Sequence, residues 1–310
     1  MNEIKSVAMI GAGALGLLYA QALEKISGLE LFFVASDERY ESIKNGEFIV
    51  NGKNHCFDVR NPLGEQRKDC RADLIIVAVK NHHLQSILPI MESCLRKDTT
   101  VISVLNGIHS ELFLENNISE AKILYCAALG MDAVKEAKSL SYTSSGKLLL
   151  GSKGNNPEDT HLIRLIALLG LAGIKYEIPD DIHRLLWWKW MINVGVNQVS
   201  AVIGATYRFF QEDRNIQILM EEAMMEAILV AKAEGIDLRE KDIGDWYTIL
   251  NKLGSDGKTS MLQDIENKRK TEVDAFSGVL IDLSKKYGIE VPVNRMLFRL
   301  IKAKEQVSGI

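Results

Sequence analysis

No stretch of this 310-residue sequence runs for the about eighteen uninterrupted apolar residues that a membrane-spanning helix needs. Cysteine is scarce. Cys56, Cys70, Cys94 and Cys126 lie scattered with no metal-type spacing, which argues against a metal site and fits thiols kept reduced in the cytoplasm. A basic excess is missing as well. The formal net charge is −4, whereas a nucleic-acid binder needs concentrated Lys and Arg for its phosphate contacts. The histidines at 55, 82, 83, 109, 161 and 183 form neither metal nor triad spacing and read as surface or packing residues. No internal repeat or low-complexity tract is visible. The opening residues do not follow the order of charged region, apolar run and cleavage site, so no signal peptide is expected. The resulting expectation is a cytoplasmic protein with no metal, nucleic-acid or membrane partner.

What is present is an ordinary globular balance, with 47% hydrophobic and 25% charged residues, in a chain long enough to favour two domains. Apolar, β-rich runs at 7–10, 29–35, 74–79 and 101–105 alternate with helical stretches such as 14–26. Such runs mark a parallel sheet covered on both faces. Residues 46–60 alternate around Asn51-Gly52, which predicts a hairpin. Residues 140–150, with Ser145-Gly146 near the middle, predict a second hairpin; 161–171 predicts a helix and 174–178 a last strand. After Pro179-Asp180-Asp181 the strand signals give way to helical periodicities at 182–202, 213–234, 242–253, 260–287 and 294–305. Asp180 and Asp181 suit a helix start, and Gly235 and Gly288 sit where helix C-caps are expected. The expected domains are therefore residues 1–179 and 180–310.

Gly11-Ala12-Gly13-Ala14-Leu15-Gly16 follows the first strand and opens a helix. The first glycine permits the tight turn, the second lets a pyrophosphate approach the backbone, and the third lets helix and strand pack closely. The helix N-terminus then offers N–H groups to the phosphates. At the end of the second strand, Ser36-Asp37-Glu38-Arg39 supplies an acid that would favour NAD and a base that would favour the 2′-phosphate of NADP. Asp37 and Glu38 could equally begin the next helix. Lys80 and Asn106 lie just past the C-terminal ends of two predicted parallel strands, the edge where open α/β sheets bind ligands. A solvated loop lysine and a plain Asn-Gly turn are the alternatives there.

In the helical half, Lys189, Asn193 and Asn197 are spaced i, i+4, i+8 among Trp187, Trp188, Trp190, Met191, Ile192, Val194 and Val196. On a helix this spacing makes a slowly drifting stripe, and polar groups in such company need partners. A lysine there suits carbonyl reduction, because adding hydride to a 2-oxo acid makes an alkoxide that needs a proton donor and positive charge. Ser260 and Asp264 are again i, i+4. A hydroxyl can donate to a substrate carboxylate, and Glu272 can accept from a substrate hydroxyl or a cofactor ribose. The plainer readings are a solvated helix face for the stripe, and a capping serine with surface acids for the second group.

These pieces together resemble the ketopantoate reductase (2-dehydropantoate 2-reductase) family over essentially the whole chain. They are Gly11 to Gly16, Val77-Ala78-Val79-Lys80, Leu105-Asn106-Gly107, Lys189-x-x-x-Asn193-x-x-x-Asn197, Ser260-Met261-Leu262-Gln263-Asp264 and Thr271-Glu272-Val273-Asp274. The resemblance implies an α/β fold class: an N-terminal Rossmann-type doubly wound parallel sheet, then an all-α C-terminal domain resembling that of 6-phosphogluconate dehydrogenase. It implies NADPH-dependent reduction of 2-dehydropantoate to (R)-pantoate, in pantothenate and coenzyme A synthesis. Lys189 would be the proton donor and Glu272 would contact cofactor or substrate. Asn193, Asn197 and Ser260 would hold substrate. Gly11, Ala12, Gly13, Ala14, Leu15, Gly16, Ser36, Lys80 and Asn106 would line the cofactor. Ser36 stands where family members often carry an arginine beside the 2′-phosphate. The family also includes NAD-dependent D-2-hydroxyacid dehydrogenases, which keeps NAD open as cofactor. A reading of another class is a protein that senses the nucleotide without turnover. The apolar helical domain would suit a homodimer.

Overall fold

The computed structural model describes residues 3–64 and 68–310. They form two compact units, one built from the chain up to Asn106 with Ser110–Ile182, the other from Gly107–His109 with His183–Ile310.

The strands of the first unit are β1 (Ser6–Ile10), β2 (Glu30–Val34), β3 (Glu47–Val50), β4 (Lys53–Cys56), β5 (Asp58–Arg60), β6 (Leu74–Val77), β7 (Thr100–Ser103), β8 (Lys122–Met131), β9 (Val134–Glu136), β10 (Ser139–Ser141), β11 (Ser145–Gly151) and β12 (Tyr176–Glu177). Among the described residues the main sheet runs β12-β11-β8-β7-β6-β1-β2-β5, and a smaller one runs β4-β3-β10-β9. From β5 through β8 every pairing is parallel. Every residue of β1, β6 and β7 is buried. The period-two alternation of a strand splits them between two cores. Val7, Met9, Leu74, Ile76 and Ile102 enter one apolar cluster, while Ala8, Ile10, Ile75, Val77 and Val101 enter the other. Each large aliphatic buried this way contributes about 1.5–3 kcal/mol. The apolar, β-rich runs of the sequence thus record a sheet with no wet face.

From β1 the chain winds outward through β2 to β5, and from β6 it winds the other way through β7 to β8. The order reverses between β1 and β6, which is where such sheets open a ligand crevice.

The 46–60 hairpin forms as expected. Asn51 and Gly52, at φ +47° and +77°, make the two-residue turn between the antiparallel strands β3 and β4. The hairpin expected over 140–150 does not form. β10 pairs with β9 and β3, while β11 pairs antiparallel with β8. The Ser145-Gly146 step therefore opens a strand of the main sheet and does not turn a hairpin. The strand at 174–178 shrinks to Tyr176–Glu177 at the sheet edge.

Asp159 starts the helix Thr160–Leu171 by accepting from the N–H groups of His161 (3.0 Å) and Leu162 (3.3 Å), and Lys122 Nζ lies 3.1 Å from its other oxygen. Burial alone would raise the Asp159 pKa. The Lys122 bond and the two amides outweigh it and hold the carboxyl below its ordinary 3.8. Asp159→Ala should cost about 0.5–2 kcal/mol at neutral pH. The folded pKa is depressed, so this contribution is present above the ordinary value and lost as pH falls through the folded one. Urea titrations of both proteins should show the difference narrowing in acid; a constant difference would contradict the charged cap.

Among the described residues the second unit contains no strand. The segment expected as one helix over 182–202 comprises helix Ile182–Ile192, a wide π-type turn Asn193–Asn197 and helix Gln198–Ile203. Tyr207–Glu212, Arg214–Ala233 and Lys241–Leu250 follow. The expected helix 260–287 is broken. Ser260–Glu266 ends at Asn267, Lys268 turns left-handed at φ +51°, and a short turn at Val273–Ala275 precedes the helix Ser277–Tyr287. A left-handed residue cannot continue a right-handed helix, and the Arg269 N–H closes the end on Asp264 O at 2.8 Å. Pro292–Ser308 is the last helix. No helix among the described residues is long and apolar enough to cross a membrane.

Candidate active site

In the first unit the glycine turn joins β1 to the helix Ala14–Leu23. Gly11 has φ +109°, and a Cβ there would lie 2.4 Å from Ala78 O. A Cβ on Gly16 would lie 2.0 Å from Gly11 O. Both glycines are demanded by the backbone. Gly13 is different: its φ is −77°, and a Cβ would meet nothing nearer than Ala78 O at 3.5 Å. Neither strain nor packing requires glycine at 13, so the smallness of this residue leaves room for a ligand. The helix that follows starts with no side-chain cap and no acid in its first turn, so its first amides are available to an anion. These residues fit a pyrophosphate.

Lys80 and Asn106, both half-buried, each sit three residues past a strand, β6 and β7 respectively. Asn81 Nδ2 donates to Asn106 O at 2.8 Å and ties the two loops together. Past β2, Ser36 Oγ donates to Asp37 Oδ2 at 2.8 Å. Asp37 and Glu38 do open the helix Asp37–Ile43. Lys135 on β9 carries no obvious sequence signal. It is half-buried and its Nζ donates to Ala137 O at 2.6 Å. Burial, with the charge of Arg39, pulls its ammonium below the ordinary lysine pKa. A phosphate near Arg39 and Lys135 would relieve that strain.

In the second unit the structure gathers Asn193, Asn197 and Ser260. Asn197 Nδ2 donates to Asn193 Oδ1 at 3.3 Å and to Ser260 Oγ at 3.4 Å. Both acceptors are thereby engaged on the Asn197 side, which turns the Asn193 N–H₂ and the Ser260 O–H away as donors. Asn197 itself is buried. The two asparagines bracket the wide turn, so their spacing is set by π-type geometry and not by the slowly drifting α-helical stripe expected. Half-buried Lys189 lies in the last turn of the helix leading into that turn.

The cap of the Ser260 helix is Thr259, not Ser260. Thr259 Oγ1 accepts from Leu262 N at 3.2 Å and donates to Ser200 Oγ at 3.0 Å, which pins the start of this helix to the one that follows Asn197. Glu272 follows Thr271, whose N–H and Oγ1 both donate to Glu305 Oε1 at 2.8 and 2.6 Å. Asp264 is engaged by Arg269 Nε at 3.0 Å and serves the helix end. A cavity of about 630 Å³ elsewhere in this unit is lined by Glu221, Glu222, Glu226 and Glu240 among others and by none of the expected site residues; its acids do not suit an anionic substrate.

The family models described as "Ketopantoate reductase PanE/ApbA" and "Ketopantoate reductase PanE/ApbA C terminal" match residues 7–155 and 181–305. The chain belongs to the ketopantoate reductase family. It is an oxidoreductase of that family. A relative named 2-dehydropantoate 2-reductase, from Streptococcus pyogenes serotype M6, is 25% identical over 98% of this chain and 99% of its own. Among solved structures, a dimeric ketopantoate reductase from Staphylococcus aureus matches with TM-score 0.81 at 22% identity, covering 98% of this chain and 100% of that one. D-mandelate dehydrogenase, solved in a ternary structure with NADH and anilino(oxo)acetate, matches with TM-score 0.84 at 24% identity over 98% and 99% of the two chains. At these identities the structural matches establish the fold of the ketopantoate reductase family: a doubly wound sheet followed by helices.

Proposed function

We propose that this protein reduces a 2-oxo acid with a nicotinamide cofactor, and that its substrate is 2-dehydropantoate, reduced to (R)-pantoate with NADPH. The observation that carries this reading is the donor pair of Asn193 and Ser260, organised by Asn197, with both asparagines on the helical segment that bears Lys189 and Ser260 at the start of a second helix. Amide and hydroxyl donors beside an ammonium fit an oxygen-rich anion whose carbonyl becomes an alkoxide. When bound, the dihydronicotinamide supplies the hydride. Lys189 Nζ gives a proton to the nascent alkoxide oxygen. Asn193 Nδ2 and Ser260 Oγ donate to substrate oxygens and hold the carbonyl in place, while Glu272 accepts from a hydroxyl of substrate or ribose. Gly11 to Gly16 would cradle the pyrophosphate, with Lys80 and Asn106 further along the same sheet edge. Arg39 and Lys135 would meet the 2′-phosphate. By analogy with the dimeric Staphylococcus aureus neighbour, a homodimer suits the chain.

A second reading, an NAD-dependent D-2-hydroxyacid dehydrogenase, is favoured by Ser36 and Asp37 at the end of β2, where Asp37 could accept from both ribose hydroxyls. Its likeness to NADH-bound D-mandelate dehydrogenase points the same way. Oxidation of NADPH and NADH with 2-dehydropantoate, beside branched and aromatic 2-oxo acids, separates the two. Turnover of 2-dehydropantoate with NADPH is the expected result. Preference for NADH and an aromatic 2-oxo acid would establish the second reading. Dinucleotide binding without any turnover would sink both.

A further inference from the structure

Within the wide turn Asn193–Asn197 the backbone ladder slips. In an α-helix the Gln198 N–H would bond Val194 O; here it bonds Gly195 O. The Gln198 side chain fills the gap, its Nε2 donating to Val194 O at 2.6 Å. The same Nε2 donates to Asn294 Oδ1 at 3.1 Å, and Gln198 Oε1 accepts from Ser277 Oγ. Ser277 Oγ also lies 3.0 Å from Asn294 Oδ1. Asn294 Nδ2 in turn donates to Ala223 O at 3.0 Å and to Glu226 Oε2 at 2.8 Å, and Glu226 accepts the N–H groups of Val293 and Asn294 at 2.8 and 2.9 Å. Gln198, Ser277 and Asn294 are fully buried. Every polar atom of the Gln198 carboxamide is therefore used, and the chain of bonds links the wide turn to three other helices: Arg214–Ala233, Ser277–Tyr287 and Pro292–Ser308. On the far side of the turn, a Cβ on Gly195 would lie 2.6 Å from Met224 Cγ and 3.0 Å from Met220 O. The bulge is pressed against one helix while its loose carbonyl is held by Gln198.

We propose that Gln198 is a positioning residue for substrate: it replaces the missing ladder bond at Val194 O and so fixes the turn whose two ends are Asn193 and Asn197. The inference rests on the reading of those asparagines as the substrate's ligands. Without Gln198, Val194 O would lose the 2.6 Å bond from its side chain, and the turn would relax towards an α-helical ladder. That relaxation would swing Asn193 relative to Asn197 and Ser260, and misplacement of about 1 Å in a site can cost about 10²-fold.

The test is Gln198→Met, which keeps the volume and removes the donor, with Ser277→Ala as a gentler variant that frees Gln198 Oε1. NADPH oxidation gives KM for 2-dehydropantoate and kcat. Fluorescence titration gives NADPH affinity, and hydrogen–deuterium exchange of the ligand-free protein reports the 193–199 amides. The expected result is KM raised about tenfold or more in Gln198→Met and a few-fold in Ser277→Ala. NADPH affinity should stay within about twofold and exchange at 193–199 should accelerate in both. An unchanged KM in a folded variant overturns the proposal, as does a KM rise matched by an equal loss of NADPH affinity. If Gln198→Met does not fold, Ser277→Ala decides by the same criteria. If the wild-type protein reduces no 2-oxo acid, the functional reading fails, yet unchanged exchange at 193–199 would still overturn the positioning role and faster exchange would support it.

Discussion

Replacing Lys189 with alanine is expected to lower turnover of the 2-oxo acid by about 10²–10⁴-fold, the range supplied by a positioned general acid. The fold should survive. Lys189 is half-buried at the end of a helix, so truncation opens no cavity in the core. The favourable charge it places in the last turn of that helix, worth about 0.3–1 kcal/mol, is lost with it. Lys189→Arg should not restore the rate, because a guanidinium keeps the charge and cannot release its proton. Both variants should bind NADPH as the wild type does. Steady-state NADPH oxidation with a melting curve for each variant checks the set, and wild-type turnover in Lys189→Ala would remove the lysine from the chemistry.

The second large effect separates two glycines that a motif search treats alike. Gly16→Ala places a Cβ 2.0 Å from the carbonyl of Gly11. That neighbour is backbone in a covered sheet, so the helix Ala14–Leu23 must move off β1. Overpacking of this kind costs about 1–3 kcal/mol or more. Gly13→Ala meets nothing nearer than 3.5 Å, at an ordinary negative φ, so its stability should stay within about 1 kcal/mol of wild type. Its methyl stands where a phosphate would approach, and dinucleotide affinity should fall at least about tenfold, which is about 1.4 kcal/mol. Chemical denaturation and NADPH titration of both variants make the comparison. Full affinity in Gly13→Ala would move the pyrophosphate elsewhere.

The parallel sheet is legible because β1, β6 and β7 are buried on both faces and no charged residue interrupts their largely apolar runs. The glycine motif is legible because close backbone neighbours dictate glycine at two of its three positions. The sequence pattern does not show β8 or the true partner of β11, because their pairing spans an excursion through the smaller sheet. Local alternation cannot report a partner that far along the chain. The break after Asn267 went unseen because no glycine or proline marks it; Lys268 adopts its left-handed turn against its own propensity. In the site, Lys189, Asn193, Asn197 and Ser260 stand out in the sequence as polar residues among apolar ones. Thr259, Gln198 and Lys135 do not, since each acts through a contact made only in the fold. The wide turn is equally silent, because apolar residues on every side of 193–197 leave no period to read.

That turn also sets the phase between the two helices it joins. A π-type turn holds one residue more than the α-helical turn it replaces, and one residue is about 100° around a helix axis. The helix carrying Lys189 and the helix beginning at Gln198 are therefore out of phase by one insertion. In an uninterrupted α-helix Lys189 and Asn197 would therefore point along different bearings from those they take here, and Gly195, where a Cβ would lie 2.6 Å from Met224 Cγ, lets the extra residue pack closely.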